Sequence, residues 1–441
     1  MVQRNLPLDS QGHGFARRSF LARAGAVGAL AAAGQAGAQF RVEVTDLGAS
    51  QLPIAFPAFR GELTSPHSIS PIVRADLERS GMFRSIDANP FILDEATRPD
   101  FAVWRKRGAD FLVAGRVTRL VNGRFDIRVQ LWDCVRGQEL GYVRYEEKPG
   151  DMRLAAHVIA DFIYEKLIGE KSVFATRIAY VTKTSSAHTL WVADSDGQNA
   201  VAAFSSKEPI ISPSWSPRGT HLAYVSFHEG RPIIYAHELA SGRQPVVANF
   251  KGSNSAPAWS EDGQQIIATL SRDGGSQIYA IDFPGGREAR RVTQSNSIDT
   301  EPCCSPDGLW IYFVSDRRGG SPQIYRIPRR GGLVELVTKS GNYNISPAIS
   351  PDSKLMTYIA RTGAGYELHV MDLVTGQATA IKGTSADESP SFSPNGRLIL
   401  YATVLQGRET LMTTTIDGRI KVPVTGQVGD IREPAWGPFV R

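Results

Sequence analysis

Four glutamates, Glu208, Glu301, Glu388 and Glu433, each stand within five residues upstream of a recurring proline. A ring of carboxylates around an opening can hold a hard cation, which takes oxygen ligands, or it can dock a partner. Other reactive patterns are missing. The chain has no Gly-x-Ser-x-Gly elbow and no His-Glu-x-x-His, so neither a hydrolase nucleophile nor a helical zinc pair is encoded. The eight histidines are scattered, with His221 and His237 in or beside predicted strands and without paired ligands. Three cysteines do not make a disulfide framework. A bond between the neighbours Cys303 and Cys304 would be badly strained, and Cys134 has no obvious partner. All three read as small buried hydrophobes. These patterns predict a binding protein with no enzymatic activity, cofactor or metal requirement.

What must position such a ring is an internal repeat. Pro213-Ser-Trp-Ser-Pro-Arg-Gly219 recurs as Pro257-Ala-Trp-Ser-Glu-Asp-Gly263, Pro302-Cys-Cys-Ser-Pro-Asp-Gly308, Pro347-Ala-Ile-Ser-Pro-Asp-Ser353 and Pro390-Ser-Phe-Ser-Pro-Asn-Gly396. A sixth copy, Pro434-Ala-Trp-Gly-Pro-Phe-Val440, is cut short. Successive prolines lie 44, 45, 45, 43 and 44 residues apart. In each copy a short strand runs into a Ser-Pro-Asp-Gly turn signal, where Pro sets φ and Gly accepts a positive φ. An apolar strand follows: His221–Ser226, Gln265–Leu270, Trp310–Ser315, Leu355–Ala360 and Leu398–Thr403. A third strand carries Tyr235, Tyr279, Tyr325, His369 or Met412, and a short fourth closes the unit. Four strands in about 45 residues is the period of a β-propeller blade.

The sixth phrase has a first strand but no others. The missing three stand at the start of the region, at Arg177–Thr182, Thr189–Asp194 and Ala200–Phe204. Pairing the C-terminal strand with them gives six whole blades and leaves no open seam of unpaired edges. Residues 171–441 are therefore predicted to form a six-bladed propeller, closed by the C-terminal strand pairing with the first blade.

Residues 39–170 lack the repeat and read as a small α/β domain. Pro53–Phe59 is a predicted strand. Ser70 is the expected N-cap of a helix with Pro71 at its first position and Gly81 as its stop. A second short helix is expected over Pro99–Arg107, strands at Phe111–Thr118 and along the alternating Phe125, Ile127, Val129 and Leu131, and a longer helix over Asp151–Ile168 ended by Gly169.

Residues 1–38 read as an export signal. Ala16-Arg17-Arg18-Ser19-Phe20-Leu21 resembles a twin-arginine motif, an apolar stretch from Ala24 to Ala33 follows, and Ala36-Gly37-Ala38 is a small-x-small cleavage pattern. That stretch is half the length a bilayer-spanning helix needs, so a soluble periplasmic product is expected. Four arginines against one aspartate give this segment +3 of the formal net charge of +5. The remainder has no long Lys/Arg run, and nucleic-acid binding is not expected.

Three features together resemble the TolB family, the periplasmic propeller component of the Tol–Pal system. They are the signal followed by Phe40-Arg-Val-Glu-Val-Thr45, an α/β domain containing Leu52-Pro-Ile-Ala-Phe-Pro-Ala-Phe59, and the sixfold phrase with Ser253-Asn-Ser-Ala-Pro-Ala-Trp259, Thr300-Glu-Pro302 and a closing Pro-Ala-Trp-x-Pro. The resemblance implies a trans-envelope adaptor that supports outer-membrane constriction at division and envelope integrity. It implies that the lipoprotein Pal docks on the propeller, tying the soluble protein to the outer membrane, and that the mature N-terminus binds TolA. Carried onto this sequence, the TolA segment is Phe40, Arg41, Val42, Glu43, Val44 and Thr45, whose alternation suits strand addition to a sheet edge. The Pal positions fall in the loops before each first strand: Ser253, Asn254, Asp299, Thr300, Glu301, Tyr343, Asn344, Asp387, Glu388, Arg432 and Glu433. Short polar groups around one opening can make many directional hydrogen bonds to an inserted loop. A glycan-binding channel would need more aromatics than Tyr343. Cys303-Cys304 stands where the family has an aromatic, and Arg218 and Glu261 replace its usual Asp and Pro; these departures read as structural.

Overall fold

The computed structural model describes residues 51–286, 288–383, 385–424 and 430–439. The expected export signal and the Phe40–Thr45 segment lie outside the described residues. No helix among the described residues is long and apolar enough to cross a membrane.

The front region is a five-stranded sheet in the order Phe83–Ile86, Leu52–Ala55, Phe111–Arg119, Phe125–Asp133, Gln138–Glu147. The first three strands run parallel and the last two antiparallel. Three helices accompany it: α1 (Ile69–Arg79), α2 (Phe101–Lys106) and α3 (Met152–Ile168). Alternation along each strand divides the apolar residues between two faces. Ile54, Val113, Ile127 and Val129 pack under α1 and α3 with Val73, Leu77, Ile159 and Ile163, while Ala55, Leu112 and Cys134 meet Trp104 of α2 on the other face.

Two expectations shift here. The predicted strand Pro53–Phe59 divides into Leu52–Ala55 and Ala58–Phe59. Helix α1 starts at Ile69, so Ser70 lies inside the helix and is not its N-cap. The buried Glu62 carboxylate accepts the Ser70 amide (2.9 Å), the Ser70 hydroxyl (2.7 Å) and the Phe59 amide (3.0 Å). It thus satisfies one of the helix's orphan amides from a neighbouring turn, as a local cap otherwise would. Gly169 ends α3 at φ 81°, and the first propeller strand begins at Arg177.

From there six four-stranded antiparallel sheets follow. Numbered by innermost strand, they are blade 1 (Asp430–Trp436), blade 2 (Ile210–Trp215), blade 3 (Asn254–Trp259), blade 4 (Asp299–Cys304), blade 5 (Asn344–Ile349) and blade 6 (Glu388–Phe392). Blade 1 is built from both ends of the region. Its C-terminal strand pairs antiparallel with Arg177–Lys183, placing Arg432 opposite Val181 and Trp436 opposite Ile178. His188–Asp194 and Val201–Ser206 complete it. The closure expected from the orphan strands is thus the one found.

Candidate functional site: the mouth and channel of the propeller

Each innermost strand has one neighbour in its blade and one free edge toward the axis. A proline, which cannot donate to a ladder, is tolerated on such an edge, and the phrase prolines sit there. The residue just before each proline takes a left-handed backbone: Ser212 (φ 55°), Ala256 (48°), Glu301 (49°), Ser346 (54°), Ser389 (50°) and Glu433 (55°). Pairing with the second strand slips there in all six blades, the mark of a β-bulge, which bends a strand and re-aims a side chain. Left-handed non-glycine residues cost about 1 kcal/mol or more each and persist only where surroundings over-determine them. The six together line a central cavity of about 440 Å³ with the prolines behind them.

The third residue of the phrase staples neighbouring blades. The Trp215 indole N–H donates to the Ala435 carbonyl (3.1 Å), and that of Trp259 to the Ser214 carbonyl (3.0 Å). The Trp436 indole N–H donates to the Thr176 hydroxyl (2.9 Å), tying the closing strand to the linker that follows α3. Blade 4 carries Cys304 there, without an indole. At that junction Glu261 and Asp262 of blade 3 pair instead with Arg329 of blade 4, the latter at 3.1 Å. Glu261, which departs from the turn consensus, therefore helps hold a junction whose third phrase residue is not tryptophan, as Ile349 and Phe392 of blades 5 and 6 also are not. Burial pushes the Cys303 thiol up to about 11, in keeping with a structural cysteine.

The eleven expected docking positions all gather at the end of the propeller where the innermost strands begin, but in two groups. Most are already in those strands, where loops were expected; only Ser253, Tyr343 and Asp387 precede them. Asn254, Asp299, Asn344 and Asp387 are buried and engaged within the fold. Asn254 accepts the Phe250 amide (2.9 Å) and donates to the Pro232 carbonyl (3.1 Å). Asp299 holds Arg317 through both oxygens (2.8 and 2.9 Å). Asn344 donates to Gln323 (2.7 Å), and Asp387 accepts the Leu368 amide (3.0 Å) and the Thr403 hydroxyl (2.8 Å). The other seven retain exposure: Ser253, Thr300, Glu301, Tyr343, Glu388 and Glu433 in part, while Arg432 is exposed.

A cleft of about 350 Å³ opens on this end between blades 5, 6 and 1, lined by Tyr343, Ile345, Tyr366, Glu388, Val404 and Arg432 among others. Tyr343 meets Tyr366 edge-on (centroids 6.0 Å apart) beneath the Arg361 guanidinium, and Arg432 pairs with Glu409. Apolar walls with a few fixed polar groups are what a docking anchor requires. Tyr366, Arg361, Val404 and Glu409 were not anticipated. They come from the facing ends of the second and third strands, which meet at the same end as the links between blades; counting strand directions finds them.

Glu301, Glu388 and Glu433 crowd this axis. Burial, reinforced for Glu433 by Glu388, pushes the Glu433 carboxyl up to about 7, and burial raises Glu301 and Glu388 as well. Glu301 accepts the Ser346 amide (2.7 Å) and Glu433 the Ser212 amide (3.3 Å), each reaching the next blade. Glu208 is exposed and does not line the channel, so the four glutamates do not form one ring.

The opposite end, with the Ser-Pro-Asp-Gly turns, faces the front region. Arg79 of α1 donates to the Ser195 carbonyl (2.8 Å) and hydroxyl (3.0 Å), and Arg397 pairs with Glu170 (2.9 Å). Among the described residues, the mouth is thus the end that the front region does not cover.

Residues 164–440 match the family described as the TolB beta propeller domain, and residues 40–140 the TolB amino-terminal domain. A Tol-Pal system protein TolB of Polaromonas sp. (strain JS666 / ATCC BAA-500) is 61% identical over 404 residues, covering 92% of this chain and 94% of its own. That of Bordetella pertussis (strain Tohama I / ATCC BAA-589 / NCTC 13251) is 46% identical over 404 residues, covering 92% of each. A crystal structure of TolB from Acinetobacter baumannii superposes with a TM-score of 0.81 at 36% identity, over 89% of this chain and 98% of that one.

Proposed function

The chain belongs to the TolB family, and from that premise we propose that it is a non-enzymatic periplasmic adaptor of a Tol–Pal system, binding the lipoprotein Pal at the propeller mouth. The observation that carries this reading is the mouth itself: it lies opposite the front region and combines an apolar cleft with partly exposed polar groups. An inserted Pal loop places an apolar anchor between Tyr343 and Val404 and directs hydrogen bonds to Thr300, Glu388 and Arg432. The Phe40–Thr45 segment binds TolA by adding a strand to its sheet, and residues 1–38 direct export by the twin-arginine route. Through these two contacts the protein supports outer-membrane constriction and envelope integrity.

Calorimetric titration of the purified chain with its cognate Pal tests the reading. A saturable one-to-one complex is expected. No heat of binding from a chain that still melts cooperatively contradicts it. Replacing Arg17 and Arg18 by lysines tests the export route, which predicts cytoplasmic retention of the precursor.

A further inference from the structure

We propose that His157, Asp194 and Asp196 form a site for one divalent transition-metal ion of the zinc class, bridging the front region and the propeller. His157 lies on α3 and is 0% exposed. Its Nδ1 is 2.5 Å from an Asp76 carboxylate oxygen. An imidazole held by a carboxylate through one nitrogen presents the other to a metal, the arrangement that orients ligating histidines generally. That other nitrogen, Nε2, has no hydrogen-bond partner, a costly condition for a buried polar atom.

Nε2 points between two carboxylates at the end of the blade 1 strand His188–Asp194 and in the turn that leaves it. It lies 3.8 Å from Asp194 Oδ2 and 4.0 Å from Asp196 Oδ2. Asp194 Oδ2 likewise lacks a hydrogen-bond partner. The three atoms lie within 4.8 Å of one another, too far for direct hydrogen bonds. A point central to them is about 2.3–2.5 Å from each, so a small contraction reaches zinc–ligand distances of about 2.0–2.2 Å. One imidazole with two carboxylates suits zinc and its neighbours better than calcium or magnesium, which prefer all-oxygen shells. Arg153 is the competitor: its Nη2 is 2.5 Å and its Nε 3.7 Å from Asp196 and Asp194 respectively. Ion entry displaces this guanidinium from Asp196. Arg79, 3.1 Å from Asp76 and bonded to Ser195, keeps the two surfaces together in either state. Because the ligands come from both regions, bound metal favours the docked arrangement.

Titration of the untagged, metal-free chain with Zn²⁺ alone tests the site, read by calorimetry and by melting temperature. One ion per chain is expected, with a rise in melting temperature and slower hydrogen exchange over residues 194–198. Asp194→Asn, chosen because that oxygen accepts no hydrogen bond and pairs with Arg153 only at 3.7 Å, should weaken binding at least tenfold and abolish the thermal shift while the ion-free melting temperature stays close to wild type. Absence of stoichiometric binding overturns the proposal. So does equal affinity in Asp194→Asn, which would place the ion on surface groups, and so does stabilisation by acid alone with no response to zinc.

Discussion

The two ends of the propeller use the same phrase differently. At the turn end the phrase serines are committed: Ser260, Ser305, Ser350 and Ser393 donate to the Asp or Asn two residues on, and the front region covers part of the surface. At the mouth, the first polar residue of the innermost strand is committed in blades 3, 4 and 5, as Asn254, Asp299 and Asn344, whereas Asp430 of blade 1 is exposed and Glu388 of blade 6 partly so. Beyond it, Ala256, Glu301 and Ser346 line the channel and Ile345 the cleft. Repetition therefore builds one end as scaffold and leaves the other free to vary, which is how loops on a rigid frame acquire function.

Breaking the seam should have the largest effect. Trp436 is 6% exposed, so Trp436→Ala is expected to cost about 3–5 kcal/mol, seen as a large fall in the thermal midpoint. Asp299→Ala should cost about 2–4 kcal/mol by stranding Arg317, while the molecules that remain folded bind Pal almost unchanged. Equal losses in stability and affinity are not expected from a buried anchor, and selective loss of affinity would erase the division within the mouth. Thr300→Arg sharpens the contrast from the other side. Thr300 is partly exposed and its side chain makes one long contact, 3.4 Å to the Thr269 hydroxyl. Affinity for Pal should fall by about 2 kcal/mol or more, with the melting temperature held.

The smallest expected effect is electrostatic. A Glu433 carboxyl raised to about 7 is charged and unfavourable above that pH, and neutral as pH falls toward the ordinary glutamate range. Its folded form binds the extra proton, so stability rises as pH drops from about 8 to 5. Glu433→Gln should flatten that slope by about 1 kcal/mol, an amount limited by solvent in the channel. Unfolding curves at the two pH values check this.

Much of the fold was legible because its signal is repetition. Six prolines at a near-constant interval fix blade number, and the orphan strands fix the closure. The front region repeats nothing, and its misread features have local causes. Ser70 looked like a cap because the true acceptor, Glu62, lies eight residues away and becomes a neighbour only through a turn. The edge strand Gln138–Glu147 has many exposed residues and so carries little hydrophobic pattern. At the mouth, the sequence marked the right end but could not separate committed from available residues. Asn254 and Ser255 are both short and polar; only the pleat and the bulge decide which turns inward.

Hydrogen exchange of the chain with and without bound Pal tests the assignment of the open end most directly. The expected result is protection at Ser253–Ser255, Thr300–Glu301, Tyr343–Ile345 and Arg432–Glu433, with the turns at 260–263, 305–308 and 393–396 unchanged. Protection concentrated at those turns or on the front region would contradict it.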